Sequence, residues 1–432
     1  GPAPGGTRGP APGGTRGPAR GEEPVATRAA AWAARFESPV TTYYALLGLT
    51  AALVVFGLIM VLSASAIESL DDTRSGSAYT IFLGQLRFAA IGTIALVVAS
   101  RLSVTTWKRL AFPAFLVAVA LQLLVFSPLG EEVNGNRNWI HYGPVTLQPS
   151  ELVKVGLILT GALVLTAKRP HLGRLGHVVV PYLFPLAAVA VLLVLLGHDL
   201  GTVLVIGLII AATLYAAGVP ARWFAFAFAA FAALTTVMVV TSANRLDRLD
   251  VWLGRDTNVW GSARQPIHGR YALADGGWFG LGLGASREKW NWLSEPHNDF
   301  IFAIIGEELG LPGTLVVLAL FAALALVCYR LVLRSSDFFV RVATAGILAW
   351  IIGQAMINVG SVIGLLPVIG VPLPLVSSGG SSLVTTMLAL GILLSFARAE
   401  PGCAEALSSR PSLVRRSVAV LPTTGPRRRA RR

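Results

Sequence analysis

A carboxylate in the stretch His297-Asn298-Asp299-Phe300 is the strongest candidate for chemistry in this sequence. It follows a polar, Trp-rich segment and precedes a long apolar run, which predicts Asp299 at the start of a helix at a membrane surface. An Asp in that position often only caps free helix amides. The alternative is a general base, a role that suits a carboxylate held beside a reacting hydroxyl.

A second candidate is the pair Glu151 and Lys154, which lies just inside the apolar run that begins at Pro149. Residues three apart share one helix face, and ionisable groups within a membrane span usually face a polar cavity. One interpretation is a self-contained ion pair. The other is a cation that meets a phosphate and is tuned by its acidic neighbour. Arg137 and Trp139, in the connection before this pair, are candidate substrate contacts.

Several other polar residues lie next to or within apolar runs. Asp199 fills a short turn, where it either caps the next helix or contacts a ligand, and Glu307-Glu308 are expected to face a polar cavity. Irregular backbone around 372–382 must be buried or line a cavity if it lies at membrane depth. The remaining candidate binding residues are Arg87, Asp199, His297, Ser377, Ser378, Gly379 and Gly380.

The composition shows what kind of protein must position these residues. The chain has 432 residues, of which 54% are hydrophobic and 13% are charged, and its mean hydropathy is +0.67. Soluble domains carry about 25% charged residues, so the composition excludes an ordinary soluble protein. We therefore predict an all-α polytopic membrane protein, with each span about 20 residues long.

Apolar runs predict ten transmembrane helices within a membrane domain that spans 39–397. We place them at 42–66, 79–99, 110–127, 149–166, 178–196, 202–217, 222–242, 299–330, 341–364 and 375–397. The loop at 243–298, between the seventh and eighth helices, is long and holds five of the ten Trp residues, so it is predicted to be structured. Its Trp rings fit either sugar stacking or the aromatic belt at a membrane interface.

Charge predicts the orientation. With a cytoplasmic N-terminus, the inner loops hold ten Lys or Arg residues, whereas the short outer loops hold only Arg74 and Arg137. Both termini are therefore expected in the cytoplasm and the 243–298 loop outside. The net charge of +13 is concentrated in the basic tail at 398–432, which has nine Arg and two Glu. Such a tail favours contact with anionic membrane lipids and does not indicate nucleic-acid binding.

The N-terminal segment 1–38 is predicted to be disordered. It contains a tandem octapeptide, Gly1–Arg8 repeated at Gly9–Arg16, and is too rich in Gly, Pro and Arg to bury apolar area. We expect its Gly-Pro start to be the remnant of a cleaved tag.

Together these motifs resemble the SEDS family of bacterial membrane proteins, over about residues 42–397. The resemblance rests on the stretches 297–303, 305–310 and 148–154, the Asp199-Leu200-Gly201-Thr202 turn and the Ser-Gly-Gly-Ser run. It is closer to the division branch, of actinobacterial type, than to the elongation branch. Where the family usually has Pro, Arg and Tyr, this chain has His198, Asn138 and Ser378.

The resemblance implies a peptidoglycan glycosyltransferase that polymerises lipid II at the division septum of the bacterial plasma membrane, by inverting transfer. It implies Asp299 as the general base and Glu151 and Lys154 as important site residues. The implied partners are a class B penicillin-binding protein, which is a transpeptidase, and other division proteins. No resident cofactor is expected, although a divalent cation (Mg²⁺ or Mn²⁺) could assist the leaving diphosphate. A lipid II flippase and a non-catalytic division scaffold are the alternative functions.

Overall fold

The computed structural model describes residues 1, 39–71, 77–133, 135–142, 145–290 and 292–408. The predicted disordered segment, apart from Gly1, and residues 409–432 of the basic tail lie outside these residues.

Helices form most of the described chain. Two irregular helical pieces also occur, a 3-10 turn at Arg169–His171 and a π-helix at Val179–Ala187 that joins α5 to α6. The helices are α1 Pro39–Asp71, α2 Thr80–Arg101, α3 Val104–Leu124, α4 Pro149–Ala167, α5 Leu175–Val178, α6 Ala188–Leu196, α7 Leu200–Ala217, α8 Ala221–Val240, α9 Ala243–Trp252, α10 Arg264–Gly276, α11 Ile301–Arg334, α12 Phe338–Val362, α13 Gly380–Arg398 and α14 Cys403–Ser408.

Nine helices in the described ranges are long and apolar enough to cross a membrane, namely α1, α2, α3, α4, α7, α8, α11, α12 and α13. The predicted multi-pass architecture is therefore confirmed. The remaining predicted span, 178–196, coincides with a shorter apolar helix at Val180–Leu196, so the count of ten spans stays a prediction. Gly218, with a φ of 81°, ends α7 and separates it from α8, as the sequence predicted.

Two predicted helix starts differ from the structure by five or six residues. The third span was expected from residue 110, but α3 begins at Val104. The last span was expected from residue 375, but α13 begins at Gly380. Pro372 and Pro374 have no amide hydrogen to donate, so the chain before Gly380 stays non-helical.

A small antiparallel sheet departs from the all-α prediction. Its strands are β1 Gly130–Val133, β2 Asn136–Tyr142 and β3 Val145–Leu147, in the order β1-β2-β3. In the register, Ile140 of β2 pairs with Gly130 of β1 and Leu147 of β3. Strands this short and polar carry too few alternating apolar residues to predict them.

The core lies along α4, α12 and α13, which have the largest buried shares among the spans, whereas α8 has no buried residue. The long segment 243–298 is structured and contains α9 and α10. Residues of this segment and of the sheet line one cavity, so both lie at the same end of the bundle. We call this end the loop end.

Candidate functional site

A polar cavity of about 400 Å³ opens at the loop end. Its walls come from β2, the start of α4, the turn before α7, helix α9, residues 295–299 and the non-helical chain at 367–379. The sequence-predicted site residues that line it are Trp139, Glu151, Lys154, Asp199, Asp299, Ser378 and Gly379.

Asp299 lies at this cavity and is not the cap of the helix that follows. The N-cap of α11 is Phe300, which makes no side-chain capping bond, and the helix begins at Ile301. The backbone of Asp299 is instead fixed by α12, where Asn358 Nδ2 donates to the carbonyl oxygens of Asp299 and Val371, at 2.8 Å each. The carboxylate is half-buried and lines the cavity. Its placement suits chemistry better than capping.

The Ser-rich non-helical chain fixes the residues before Asp299. Ser377 Oγ donates to the carbonyl of Asn298 at 2.7 Å and accepts from the amide of Leu373 at 2.8 Å. The amide of Ser378 donates to the carbonyl of His297 at 2.9 Å. As predicted, this irregular backbone lines a cavity. It is tolerated there because its polar groups form hydrogen bonds with the segment that carries the Asp299 carboxylate.

Burial raises the pKa of Asp299 to about 6. The neighbouring Glu295 carboxylate contributes to this increase, whereas the positive charge of Arg248 and the nearby His297 oppose it. A carboxylate with this pKa is mostly ionised at neutral pH yet holds a proton more readily than an exposed Asp. These are the properties of a general base that works near pH 7.

Gly370 lets the opposite wall approach this carboxylate. Its φ is 70°, a conformation that glycine adopts without steric cost. A Cβ built there would lie 3.4 Å from Oδ2 of Asp299 and 4.0 Å from Nη1 of Arg248. The chain at this point therefore needs a residue without a side chain.

Glu151 and Lys154 form a buried ion pair in the cavity wall. Lys154 Nζ lies 2.8 Å from Glu151 Oε1 and 3.2 Å from Gln354 Oε1, and 4.6 Å from the ring centroid of Trp350. Thr385 donates to the second oxygen of Glu151 at 3.2 Å. Both predicted features are present, because the residues pair with each other and also line the cavity.

Asp199 caps α7, which was one of its two predicted roles, and it also lines the cavity. It caps α7 by accepting from the amide of Thr202 at 2.9 Å and from the Thr202 hydroxyl at 2.7 Å. Gln148 Nε2 donates to its second oxygen at 3.3 Å, on the cavity side. Burial raises the pKa of Asp199, although the bonds from Thr202 oppose the shift.

Two arginines of the cavity were missed by the sequence analysis. Arg245 and Arg248 lie three residues apart on α9 and both line the cavity. Arg245 donates to the carbonyl of His198 at 2.9 Å, and Arg248 donates to the carbonyl of Val368 at 3.4 Å. The available signal was their spacing directly after an apolar span, because two like charges at i and i+3 share one helix face.

Five predicted site residues do not line the cavity, among them Ser377, whose hydrogen bonds are given above. Arg87 lies on an exposed face of α2 and donates to the carbonyl of Leu83. Arg137 is half-buried in β2, and its guanidinium donates to the carbonyl of Ser127 at 2.9 Å. The other two are His297, which lies 3.0 Å from a carboxylate oxygen of Glu68, and Gly380, which packs against the Phe88 ring.

Glu307 and Glu308 are buried as expected, but they do not line the cavity. Glu307 accepts from Ser286 Oγ and from the amide of Arg287, at 2.6 Å each. Glu308 lies 3.1 Å from Lys289 Nζ and accepts from Ser63 Oγ of α1 at 2.5 Å. These two acids therefore attach the 243–298 segment to the bundle. We call Ser63, Lys289 and Glu308, with Glu307 and Ser286, the loop clamp.

The glycine-rich run at 276–284, within the 243–298 segment, completes this attachment through its backbone. Gly310 has a φ of 66° and interrupts α11, and Pro312 has no amide hydrogen. The carbonyls of Glu307 and Glu308 therefore lack their usual helical donors, and they accept from the amides of Leu281 and Gly282, at 2.9 Å each. A Cβ at Gly280 would lie 2.2 Å from the Glu308 carbonyl, so glycine permits this close backbone contact.

No group of three or more His, Cys, Asp or Glu residues in the described ranges is placed to hold a metal ion. Mg²⁺ sites often use only one or two protein carboxylates together with substrate phosphates. The cavity carboxylates therefore do not form a complete metal site by themselves.

A bundle of apolar helices with a polar cavity walled in part by a structured loop defines a polytopic membrane protein with a candidate binding site at the loop end. A family model for cell cycle proteins, which covers FtsW, RodA and SpoVE, matches residues 44–401. The chain belongs to this family.

Individual relatives agree. The chain is 41% identical over 382 residues to a Mycobacterium tuberculosis protein named "Probable peptidoglycan glycosyltransferase FtsW", covering 88% of this chain and 72% of that protein. It is 36% identical over 353 residues to stage V sporulation protein E of Bacillus subtilis, covering 81% and 95%.

Solved structures share the fold. RodA of Thermus thermophilus aligns with a TM-score of 0.62 at 27% identity, covering 82% of this chain and 96% of RodA. A chain from a peptidoglycan synthase complex that coordinates polymerisation and crosslinking aligns with a TM-score of 0.67 at 27% identity, covering 82% and 97%.

Proposed function

We propose that this protein is a peptidoglycan glycosyltransferase that polymerises lipid II into glycan strands, with Asp299 as the general base. The activity follows from the family and from relatives that carry this name. The observation that carries the catalytic assignment is the Asp299 carboxylate, which lines the polar cavity and does not cap α11.

The proposed reaction inverts the configuration at the donor sugar. The 4-hydroxyl of the acceptor attacks C1 of the donor, a new C1–O4 bond forms, and the C1–O bond to the lipid diphosphate breaks. Asp299 takes the hydroxyl proton, and its pKa of about 6 suits that transfer near neutral pH. The diphosphate departs with the bonding electron pair and needs charge stabilisation rather than a proton.

Cations of the cavity supply that stabilisation in our proposal. Arg245 and Arg248 both line it, and a guanidinium binds phosphate oxygens with two parallel hydrogen bonds. Lys154 is already paired with Glu151, so a diphosphate that approaches Lys154 competes with that carboxylate. Glu151 would therefore tune the position and charge of the lysine.

We further propose that the loop end faces the outside of the plasma membrane, where lipid II saccharides are presented, and that the protein works at the division septum. The positive-inside distribution supports this orientation. A class B penicillin-binding protein remains the proposed partner, supported by the likeness to a chain of a complex that coordinates polymerisation with crosslinking. A divalent cation held partly by substrate phosphates stays a proposal, and no step above depends on it.

The decisive experiment is lipid II polymerisation by the purified full chain, alone and with its transpeptidase, for wild type and Asp299→Asn. The asparagine keeps the size of the side chain but cannot accept the proton, so polymer formation should fall about 10²–10⁴-fold. Asp250→Asn is the matched control, since Asp250 is a half-buried residue of α9 that does not line the cavity. Near-normal polymerisation by Asp299→Asn would contradict the mechanism. If Asp250→Asn also abolished polymerisation, the effect of the substitution would not be specific to Asp299.

A further inference from the structure

A second cavity of about 580 Å³ lies in the 243–298 segment, beside the Asp299 cavity. Its walls come from α9, the chain at 260–266, helix α10 and the turn at 361–368. We call it the loop pocket. The side chains that give it chemical character are Trp252, Trp260, Asp247, Arg248, Arg264 and Arg270.

Exposed but supported aromatic rings form one part of the loop pocket. Trp260 is 75% exposed, and its ring lies 6.2 Å from that of Trp292. Trp292 stacks on His268 at 5.6 Å, and His268 Nδ1 lies 2.7 Å from a Glu288 oxygen. Trp252 is fixed separately, by donating to the carbonyl of Gly364 at 3.2 Å. Trp252 is therefore anchored by a hydrogen bond, and Trp260 contacts a Trp292 ring that is itself stacked on His268.

Arginines form the other part. Arg264 Nε donates to the carbonyl of Trp292 at 2.9 Å, and Arg270 Nε donates to the carbonyl of Pro266 at 3.3 Å. These bonds hold the two guanidinium groups at the pocket wall. With Arg248 and Asp247, the pocket carries three cations and one anion. Planar guanidinium groups are suited to carboxylates, which they bind with paired hydrogen bonds.

The loop pocket borders the proposed reaction site. Arg248, Pro367 and Val368 line both cavities, and the tip of Arg248 lies near Asp299 across Gly370. The two cavities therefore lie side by side, with Arg248 at their common boundary.

We propose that the loop pocket binds the growing glycan strand a short distance from the reacting sugar, by stacking a sugar ring on Trp260 and pairing a stem-peptide carboxylate with the arginines. This inference rests on the proposed function. The ligand class follows from the pocket itself, because an exposed indole suits the apolar face of a sugar and clustered arginines suit an acidic substituent. Binding at this place keeps the strand attached between additions.

The first test is equilibrium dialysis of the purified full chain with a labelled, undecaprenyl-free tetrasaccharide that carries its stem peptides. Trp260→Ala should weaken binding about tenfold, a typical loss for a central aromatic anchor, and Trp260→Phe should restore most of it. Trp278→Ala is the matched control, because Trp278 is 74% exposed in the same segment but does not line the pocket. Removal of the stem peptides from the tetrasaccharide should weaken its binding to wild type. In Arg270→Gln, the tetrasaccharides with and without stem peptides should bind equally.

The second test is the length of the polymer. Trp260→Ala should make shorter strands from lipid II, while the rate of the first coupling changes less than about twofold. Unchanged tetrasaccharide binding by Trp260→Ala, or an equal loss by Trp278→Ala, would overturn the proposal. So would normal binding combined with weaker capture of the transpeptidase, which would make the pocket a protein interface.

Asp299→Asn separates the two proposals. It should bind the tetrasaccharide normally while failing to polymerise lipid II. If Asp299→Asn polymerises normally, the proposed catalytic mechanism fails, but the dialysis result still decides whether the loop pocket binds glycan.

Discussion

Two buried lysine–glutamate pairs lie at the loop end, and they differ in what surrounds them. Lys154 and Glu151 are 2.8 Å apart in the wall of the Asp299 cavity. Lys289 and Glu308 are 3.1 Å apart in the loop clamp, and neither lines that cavity. All four side chains are nearly inaccessible to solvent. Burial and pairing alone therefore cannot tell which pair acts on a substrate.

The remaining contacts of each pair explain the difference. Lys289 Nζ also donates to the carbonyl oxygens of Ser63 and Gly284, at 3.3 and 2.7 Å, so its hydrogen bonds join three parts of the chain. Within the described ranges, the hydrogen bonds and ring contact of Lys154 Nζ all go to side chains, those of Glu151, Gln354 and Trp350, which can rearrange when a ligand arrives. Backbone bonds are typical of a structural pair, whereas side-chain bonds at a cavity leave the cation available.

The largest expected effect comes from breaking the structural pair. Lys289→Met should destabilise the protein by about 3–5 kcal/mol, because it leaves the Glu308 charge buried without compensation. Thermal unfolding and protease digestion of the 243–298 segment would measure the loss. The double variant Lys289→Met/Glu308→Leu is the control and should recover part of the stability, since removal of both charges removes the unpaired one. A loss below about 1 kcal/mol in the single variant would show that the loop clamp is not structural.

For the Lys154–Glu151 pair in the cavity we expect a smaller free-energy effect, and we expect it on activity rather than on stability. Lys154→Ala should reduce polymerisation about 10²-fold, the loss typical of removing one group that stabilises developing charge. It should destabilise the protein less than Lys289→Met does, because Glu151 keeps its bond from Thr385 and can be reached from the cavity. The measurement is initial rate against lipid II concentration, together with thermal unfolding.

Glu151→Ala and the double variant complete this test. If Glu151 acts by positioning Lys154, its loss should add little once Lys154 is gone, so the two effects should not be additive. Fully additive losses would contradict the coupled pair. A stability loss as large as that of Lys289→Met would contradict the distinction between the two pairs.

The sequence predicted the membrane architecture well because apolar length is a local property. Runs of about 20 apolar residues predict spans regardless of the tertiary packing, and even the separation of α7 from α8 at Gly218 was predicted. The last helix begins at Gly380 and not at 375, since the chain before it is held by tertiary hydrogen bonds from Asn358 to Val371 and from Ser377 to Asn298. No local pattern encodes those contacts.

The candidate site was predicted only in part, for the same reason. Asp299, Glu151 and Lys154 could be found because ionisable groups are rare beside apolar runs. Arg245 and Arg248 were missed because charged residues in a long polar segment are ordinary. Glu307 and Glu308 were expected at a cavity, yet their partners come from the 281–289 chain and from α1. Sequence reveals which groups are unusual, but the fold decides which of them meet.

The smallest expected effect is on the pH profile of activity, and it again distinguishes the Asp299 cavity from the loop clamp. In the proposed mechanism the ionised carboxylate of Asp299 is the active form, and its pKa is about 6, so kcat/KM should fall as pH decreases through 6, to about one-tenth of its maximum at pH 5. Arg248 lowers this pKa and Glu295 raises it. Arg248→Gln should therefore move the midpoint of the pH profile to higher pH, and Glu295→Gln should move it to lower pH, each by a few tenths of a unit because both groups are exposed and screened. Lys289→Met belongs to the loop clamp and should leave the midpoint of its residual activity unchanged. A shared midpoint in all three variants would show that a group other than Asp299 controls the acid limb.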